Sequence, residues 1–240
     1  MANNFQKRSY QLERIDTGDY TPPEYERFLR EISLVNRLTG DNRALKNSLL
    51  HEIKTENLRE FSVLDVGAGS GEFLRLIAKT ARKQKRRANL FGLELHPRSA
   101  RAILEESPDF AEIRSISGDG LNLPFYDNSF DYAICSLFTH HFTDENVVKI
   151  LSEMARVARR KIFVIDLHRH KTAHFAYQIF CAAFRISPLV REDGSLSILR
   201  SFVPPELQNL AEKAKLQNIK VKRRAPFRLV LEATKAEIRA

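Results

Sequence analysis

The first 59 residues carry a helical pattern of apolar positions. Thr21 and Glu24 form a capping box that starts a helix, and apolar side chains then recur at helical spacing. Gly40 ends this helix, and Asp41 caps a second helix with the same kind of spacing. Both helices precede the first strand, so we expect an N-terminal helical cap over residues 1–59.

From residue 60 the pattern changes to short apolar runs that alternate with amphipathic helices. The runs are continuous, which is typical of parallel strands covered on both faces. The predicted strands are Ser62–Val66, Leu90–Leu95, Glu112–Ser117, Asp131–Ser136 and Lys161–Asp166, with helices near Glu72–Gln84, Pro97–Ser107 and Asp144–Ala158. This alternation predicts one α/β domain over residues 60–240, built on an open, doubly wound sheet.

Residues 171–203 interrupt the alternation after the fifth strand. The segment begins with a helix that is apolar on nearly every side, yet too short to span a membrane. Such a helix needs cover from protein, ligand or membrane. The pattern then resumes with a helix over Pro204–Leu216 and a closing pair of strands, Asn218–Arg224 and Phe227–Thr234.

A glycine-rich loop follows the first predicted strand and opens a helix, which is the context of a cofactor-binding loop. Gly67, Gly69 and Gly71 follow the spacing G-x-G-x-G, and Glu72 stands where a dinucleotide fingerprint has its third glycine. A carboxylate at a helix N-terminus repels a pyrophosphate. The loop therefore favours a cofactor that has no phosphate and carries a positive charge.

Two further acidic blocks follow the next two predicted strands. Glu94 ends the second strand, where ribose hydroxyls lie in related folds. Asp119 and Gly120 follow the third strand. Taken alone, Glu94 would be a surface or capping group and Asp119 part of an Asp-Gly turn. Their order after the glycine loop favours cofactor binding instead.

These blocks resemble the class I S-adenosylmethionine-dependent methyltransferases, and residues 123–142 resemble the ubiquinone/menaquinone methyltransferase branch. The resemblance covers residues 60–170. It implies a Rossmann-like sheet of seven strands with an antiparallel last strand, and S-adenosyl-L-methionine as cofactor. The cofactor-binding residues that it implies are Asp65, Gly67, Ala68, Gly69, Gly71, Glu94, Leu95, Asp119, Gly120, Cys135, Ser136 and Leu137.

A narrower resemblance points to an acceptor. Residues 35–38, 165–170 and 193–202 are similar to bacterial methyltransferases associated with type III polyketide synthases, although Ile165 stands where that group has Asn. The resemblance implies O-methylation of a small, lipophilic phenol. C-methylation of a quinone precursor, RNA methylation and a catalytically silent Rossmann-like binding protein are the alternatives.

Transfer to a phenol, whose pKa is about 10, benefits from a nearby base. His168 lies just beyond the fifth strand, at the edge where ligands bind, and is our first candidate. His140 and His141 follow the fourth strand, and neighbours in an extended segment point opposite ways. We name His141 as the second candidate. No metal is expected, because methyl transfer from a sulfonium needs none.

The apolar insertion has two open explanations once an acceptor is considered. Phe175, Ile179 and Phe184 either cover a lipophilic acceptor beside His168 or pack on the sheet.

Charge and cysteine content refine these expectations. The net charge is +9, and the densest basic run, Arg82–Arg87, ends a predicted helix, where cations complement the helix dipole. We therefore expect a solvated surface rather than nucleic-acid binding, and leave open a peripheral contact with a membrane.

Cys135 and Cys181 lie in apolar runs without metal-site spacing, and the N-terminal residues lack an apolar signal segment. Both features are typical of a reduced, cytoplasmic protein.

Overall fold

The computed structural model describes residues 5–236. The strands are β1 (Glu60–Val66), β2 (Arg87–Glu94), β3 (Ile113–Ser117), β4 (Phe130–Ser136), β5 (Ala158–Leu167), β6 (Gln217–Arg224) and β7 (Arg228–Thr234). They form one sheet in the order β3-β2-β1-β4-β5-β7-β6. β1 to β5 are parallel, and β7 runs antiparallel to both of its neighbours. The predicted seven-stranded sheet with an antiparallel last strand is confirmed.

The helices also follow the predicted order. They are α1 (Arg14–Thr17), α2 (Pro22–Leu38), α3 (Asp41–Lys46), α4 (Leu49–Thr55), α5 (Glu72–Lys83), α6 (Pro97–Glu105), α7 (Asp144–Val157), α8 (Lys171–Ala183), α9 (Pro188–Arg200) and α10 (Pro204–Lys213), with a 3-10 turn at Thr139–His141. The capping box of α2 is present, since Glu24 accepts hydrogen bonds from the backbone N–H and the hydroxyl of Thr21, both at 2.8 Å.

The second helix of the cap differs from the prediction. It is broken into α3 and α4 around Ser48. The Ser48 hydroxyl donates to the carbonyl of Ala44 at 2.7 Å, a local bond that competes with the regular helical pattern. The apolar spacing continues across the break, which is why the pattern alone predicts one helix.

Helices cover both faces of the sheet. α7 and α10 pack on one face, while α5 packs on the other together with the cap helices α3 and α4. Successive side chains of β1 point to opposite faces of the sheet. Val63 therefore packs in the hydrophobic cluster of one face and Leu64 in the cluster of the other. Burial on both faces explains the continuous apolar runs of the sequence.

The insertion contains two helices, α8 and α9, and its apolar residues are placed differently from our expectation. Phe175, Ile179 and Phe184 are 67%, 55% and 54% exposed, so they neither pack on the sheet nor cover a cavity. α8 packs through its other side, with Tyr177, Phe180 and Cys181 joining α2 and α9 in a small separate cluster. None of the helices within residues 5–236 combines the length and hydropathy that a membrane span requires.

Candidate active site

The glycine loop joins β1 to α5 at the carboxyl edge of the sheet. Gly67, Gly69 and Gly71 have positive φ angles of 71°, 56° and 80°, a conformation that favours glycine. A Cβ atom at Gly67 would overlap the ring of Phe138. At Gly69, by contrast, no described atom lies within 4 Å of the Cβ position. The loop therefore leaves space above Gly69 in which a ligand could approach the backbone.

This loop lines a cavity of about 210 Å³, the cofactor cavity, which Asp65 and Glu72 also line. Asp65 is only 1% exposed, and its Oδ1 atom has no hydrogen-bond partner within residues 5–236. Burial, and secondarily the charge of Glu94, raises the pKa of Asp65 to about 8. A cationic group beside this carboxyl would stabilise its ionised form. The cavity thus fits the positively charged methionine part of S-adenosylmethionine.

Glu94 ends β2 and turns towards the glycine loop. Its carboxylate accepts a hydrogen bond of 2.5 Å from the backbone N–H of Gly69. Burial raises the pKa of Glu94, although this hydrogen bond opposes the effect. The two blocks that the sequence suggested as cofactor-binding, the loop and the strand-end acid, are therefore in direct contact.

The other suggested cofactor residues are divided between the cavity and its surroundings. Ala68, Ser136 and Leu137 line the cofactor cavity, and Gly120 is buried beside Val66. Leu95 is exposed, and Asp119 is exposed with its Oδ1 atom accepting from the backbone N–H of Leu121 at 2.8 Å. Cys135 is completely buried in the core, which raises the pKa of its thiol.

A second cavity of about 410 Å³, the apolar cavity, adjoins the first one. The two cavities share Asn36 of α2 and Leu137, the residue that follows β4. The apolar walls come from α2, α8 and the turn before β7, and include Phe28, Ile32, Val35, Ala176, Phe180 and Phe227. A ligand in the apolar cavity would therefore lie next to a ligand in the cofactor cavity.

One end of the apolar cavity is polar and carries His140. The Nδ1 atom of His140 lies 2.6 Å from Oδ1 of Asp166, a residue of β5 that is 0% exposed. The hydroxyl of Thr139 and the backbone N–H of His140 donate to the other oxygen of Asp166, at 2.5 Å and 3.1 Å.

Despite its burial, Asp166 is held as a carboxylate. Charge and hydrogen bonding from His140, with Thr139 adding to them, outweigh desolvation and lower the pKa of Asp166 to about 2. An ionised Asp166 fixes Nδ1 of His140 as the protonated nitrogen, so Nε2 is left as the nitrogen that accepts a proton.

Arg200 holds the His140–His141 segment in place. Its guanidinium is buried and donates to the backbone carbonyls of His140 at 3.2 Å and His141 at 2.7 Å. Glu13, from the N-terminal segment, lines the same polar end and accepts from the hydroxyl of Ser197 at 2.8 Å. Burial raises the pKa of Glu13. A carboxylate oxygen of Glu13 and one ring nitrogen each of His140 and His141 lie within 4.8 Å of one another. This spacing would allow the three side chains to hold a metal ion, and one of them is the imidazole that Asp166 orients.

The two histidines that the sequence suggested as bases also line the apolar cavity. His141 is drawn towards the N-terminal segment, with Nδ1 3.4 Å from Oδ2 of Asp16. Burial, with the nearby charge of Arg223, lowers the pKa of His168 to about 4. His168 is therefore neutral at pH 7 but accepts a proton poorly.

Sequence reasoning missed His140 and Glu13 as members of this site. The signal for His140 was the pairing of β4 with β5, which brings the residues after β4 beside the end of β5 and hence beside Asp166. The sequence contains no such signal for Glu13, because the segment that carries it is short. This segment is held at the site by the backbone N–H groups of Arg14 and Ile15, which donate to Asp193 at 2.8 Å and 3.0 Å.

Comparison with known proteins agrees with this geometry. Residues 64–165 match the family model described as a methyltransferase domain. A demethylmenaquinone methyltransferase of Thermotoga maritima is 28% identical over 65% of this chain and 65% of its own length. A ubiquinone/menaquinone biosynthesis C-methyltransferase of Rickettsia typhi is 28% identical over 59% of each chain. The chain thus spans slightly less than two thirds of the length of these curated relatives.

Solved structures show the same fold. A magnesium protoporphyrin IX methyltransferase from Synechocystis PCC 6803, with bound SAH, has a TM-score of 0.61 at 14% identity and covers 92% of this chain and 98% of its own. A SAM-dependent methyltransferase from Aquifex aeolicus has a TM-score of 0.57 at 18% identity, covering 84% and 96%. Residues 64–165 thus match a methyltransferase domain, and the chain is similar to methyltransferases of ubiquinone and menaquinone biosynthesis.

Proposed function

We propose that this chain transfers the methyl group of S-adenosylmethionine to the hydroxyl of a small, lipophilic phenol. The observation that carries the proposal is the junction of the two cavities at Asn36 and Leu137. A largely apolar pocket with a few polar groups at one end suits a ligand with a lipophilic body and one reacting polar group. In this arrangement the acceptor oxygen would lie near His140.

His140 is the base in this proposal. S-adenosylmethionine supplies, when bound, an electrophilic methyl group on a sulfonium. The Nε2 atom of His140 would take the proton of the phenol as its oxygen accepts the methyl group, and the electrons of the carbon–sulfur bond would stay on sulfur. Asp166 stabilises the imidazolium that forms, because its carboxylate is 2.6 Å from Nδ1.

C-methylation of a quinol precursor is the second candidate. It is favoured by the similarity to the Thermotoga demethylmenaquinone methyltransferase and to the Rickettsia ubiquinone/menaquinone biosynthesis C-methyltransferase. The same base would serve it, since removal of the hydroxyl proton also raises the nucleophilicity of the ring carbon. The two candidates therefore differ in how the acceptor is oriented, and product analysis distinguishes them.

RNA methylation has less support. Within the basic run, Arg82 pairs with Glu112 at 2.6 Å and Arg87 with Glu60 at 2.5 Å. Arg86 donates to the backbone carbonyls of Ile53 and Leu58. Much of the run is thus engaged within the protein.

The proposal is tested by incubating the purified chain with methyl-labelled S-adenosylmethionine and three acceptor panels: alkylated phenols, quinols and RNA. We expect label in the phenols, as a methoxy group by NMR. Label on a ring carbon would replace O-methylation with C-methylation, and label only in RNA would overturn both small-molecule candidates.

A further inference from the structure

Exposed large apolar side chains are concentrated on two helices of this protein. Within the described chain, α2 exposes Tyr25 and Leu29 on one side and Leu34 and Leu38 on the opposite side, and α8 exposes Phe175 and Ile179, with Phe184 directly after its end. Single exposed apolar residues need no explanation, whereas a concentration of them marks a contact surface. Both helices lie outside residues 64–165, the part that matches the methyltransferase domain.

The same two helices form walls of the apolar cavity. α2 lines it with residues such as Phe28 and Ile32, and α8 lines it with residues such as Phe180. Ala176 both lines the cavity and is exposed, and Ile179 lies one turn further along the same side of α8. The exposed apolar surface is therefore continuous with the cavity wall.

Basic residues accompany the apolar ones. Exposed Lys171 and Arg185 stand at the two ends of α8, and the helix itself contains no acidic residue. Arg27 of α2 donates to the carbonyl of Arg185 at 2.9 Å, which joins the two helices at this end. α2 has three acidic residues: Glu24 accepts from Thr21, Glu31 is engaged by Arg27 and by Ser187, and Glu26 is exposed. An apolar helix face with cationic ends is typical of a helix that lies at a membrane surface.

We propose that the α2–α8 surface, defined by Tyr25 and Leu29 of α2 with Phe175 and Ile179 of α8, docks on an anionic lipid bilayer, so that a lipophilic acceptor passes from the bilayer into the apolar cavity. The docking depends only on the exposed side chains. The passage of the acceptor rests on the proposed function. Insertion of aromatic and aliphatic side chains supplies the apolar part of the binding, and the net charge of +9 adds an attraction that salt screens.

Vesicle flotation tests the docking without cofactor or acceptor. The chain is mixed with phosphatidylcholine vesicles, with or without phosphatidylglycerol, at low and high salt. We expect binding to the anionic vesicles that weakens at high salt, and a loss of about tenfold or more in the double variant Phe175→Ser, Ile179→Ser.

Leu104→Ser and Tyr126→Ser are matched controls, since Leu104 is 44% and Tyr126 90% exposed on other parts of the surface. These variants should bind as the parent does. Absence of binding by the parent at low salt, or equal loss in the controls, would overturn the proposal. So would a dimer of the parent that the double variant dissociates, because the surface would then contact a second copy. Methyl transfer to short-chain phenols without vesicles is measured separately, so failure of docking and failure of the proposed function are distinguished.

Discussion

Two cavities of different construction meet at Leu137. The cofactor cavity is built largely from the chain around the ends of β1 and β4, with backbone turns as its main feature. The apolar cavity takes side chains from the N-terminal segment, α2, the turn after β4, α8, α9 and the turn before β7. The first is thus a local structure on the sheet edge, while the second is an assembly of segments far apart in the chain. A substitution in the cofactor cavity should abolish binding of S-adenosylmethionine. A substitution in the apolar cavity should instead change the turnover of the acceptor.

Gly69→Val should have the largest effect, because it fills the open space above the loop. We expect S-adenosylmethionine to raise the Tm of the parent and to leave the Tm of this variant unchanged. Gly18→Val is a matched control, since Gly18 also has a positive φ and no described atom within 4 Å of its Cβ position. It should carry a similar backbone strain and keep the shift. A shift of the parent with NAD as large as with S-adenosylmethionine would contradict the cofactor.

His140→Gln should lower the turnover of an ordinary phenol by about 100- to 10,000-fold, the usual contribution of a general base. The loss should shrink for phenols whose pKa lies near 7, since they ionise without a base. A structural role for His140 would lower turnover equally for both kinds of phenol. His141→Gln and His168→Gln serve as controls, and a larger loss in either one would move the base to that residue.

The affinity for S-adenosylmethionine should rise with pH up to about 8. The pKa of Asp65 is raised to about 8 in the folded chain, against about 4 in the unfolded chain. The folded state therefore holds a proton that the unfolded state has lost, and its stability falls by up to about 1.4 kcal/mol per pH unit between these values.

A cationic ligand favours the ionised carboxyl, so cofactor binding releases this proton within the same pH window. Calorimetry at pH 6 and pH 8, in buffers of different ionisation enthalpy, measures the release. Asp65→Asn should bind more weakly with no such proton release. A release of the same size in Asp65→Asn would assign the proton to another group.

Lys83→Gln with Lys85→Gln should have the smallest effect. Both side chains are exposed at the end of α5, beside arginines that pair within the protein. We expect unchanged turnover of a small phenol and an unchanged Tm. Salt-sensitive binding of RNA by the parent, weakened in this variant, would instead assign the run to nucleic acid.

Much of the cofactor half could be predicted from the sequence. The spacing of Gly67, Gly69 and Gly71 between a strand and a helix has a local cause, because positive φ angles and a close approach to the backbone require glycine there. Glu72 in place of a third glycine pointed to a cationic cofactor without phosphate, and Glu94 at the next strand end pointed to the ribose of that cofactor. The alternating apolar runs predicted the order of strands and helices, because a strand that is buried on both faces is a continuous run of apolar residues.

The apolar cavity, by contrast, depended on tertiary contacts. His140 and His141 are neighbours in sequence with similar signals, and only the position of Asp166 on the adjacent β5 distinguishes the first from the second. The sequence also named His168, but the burial that lowers its pKa to about 4 arises from packing.

Which side of α8 is buried also depends on tertiary contacts. Its apolar pattern predicted cover on all sides of α8, whereas α8 packs through one side and leaves Phe175 and Ile179 exposed. The sequence by itself determined the sheet, the glycine loop and the character of the cofactor, because these follow from backbone conformation and the periodicity of burial. The tertiary structure alone decided which histidine meets the buried carboxylate of Asp166 and which apolar side chains face solvent, because both depend on contacts between segments far apart in the chain.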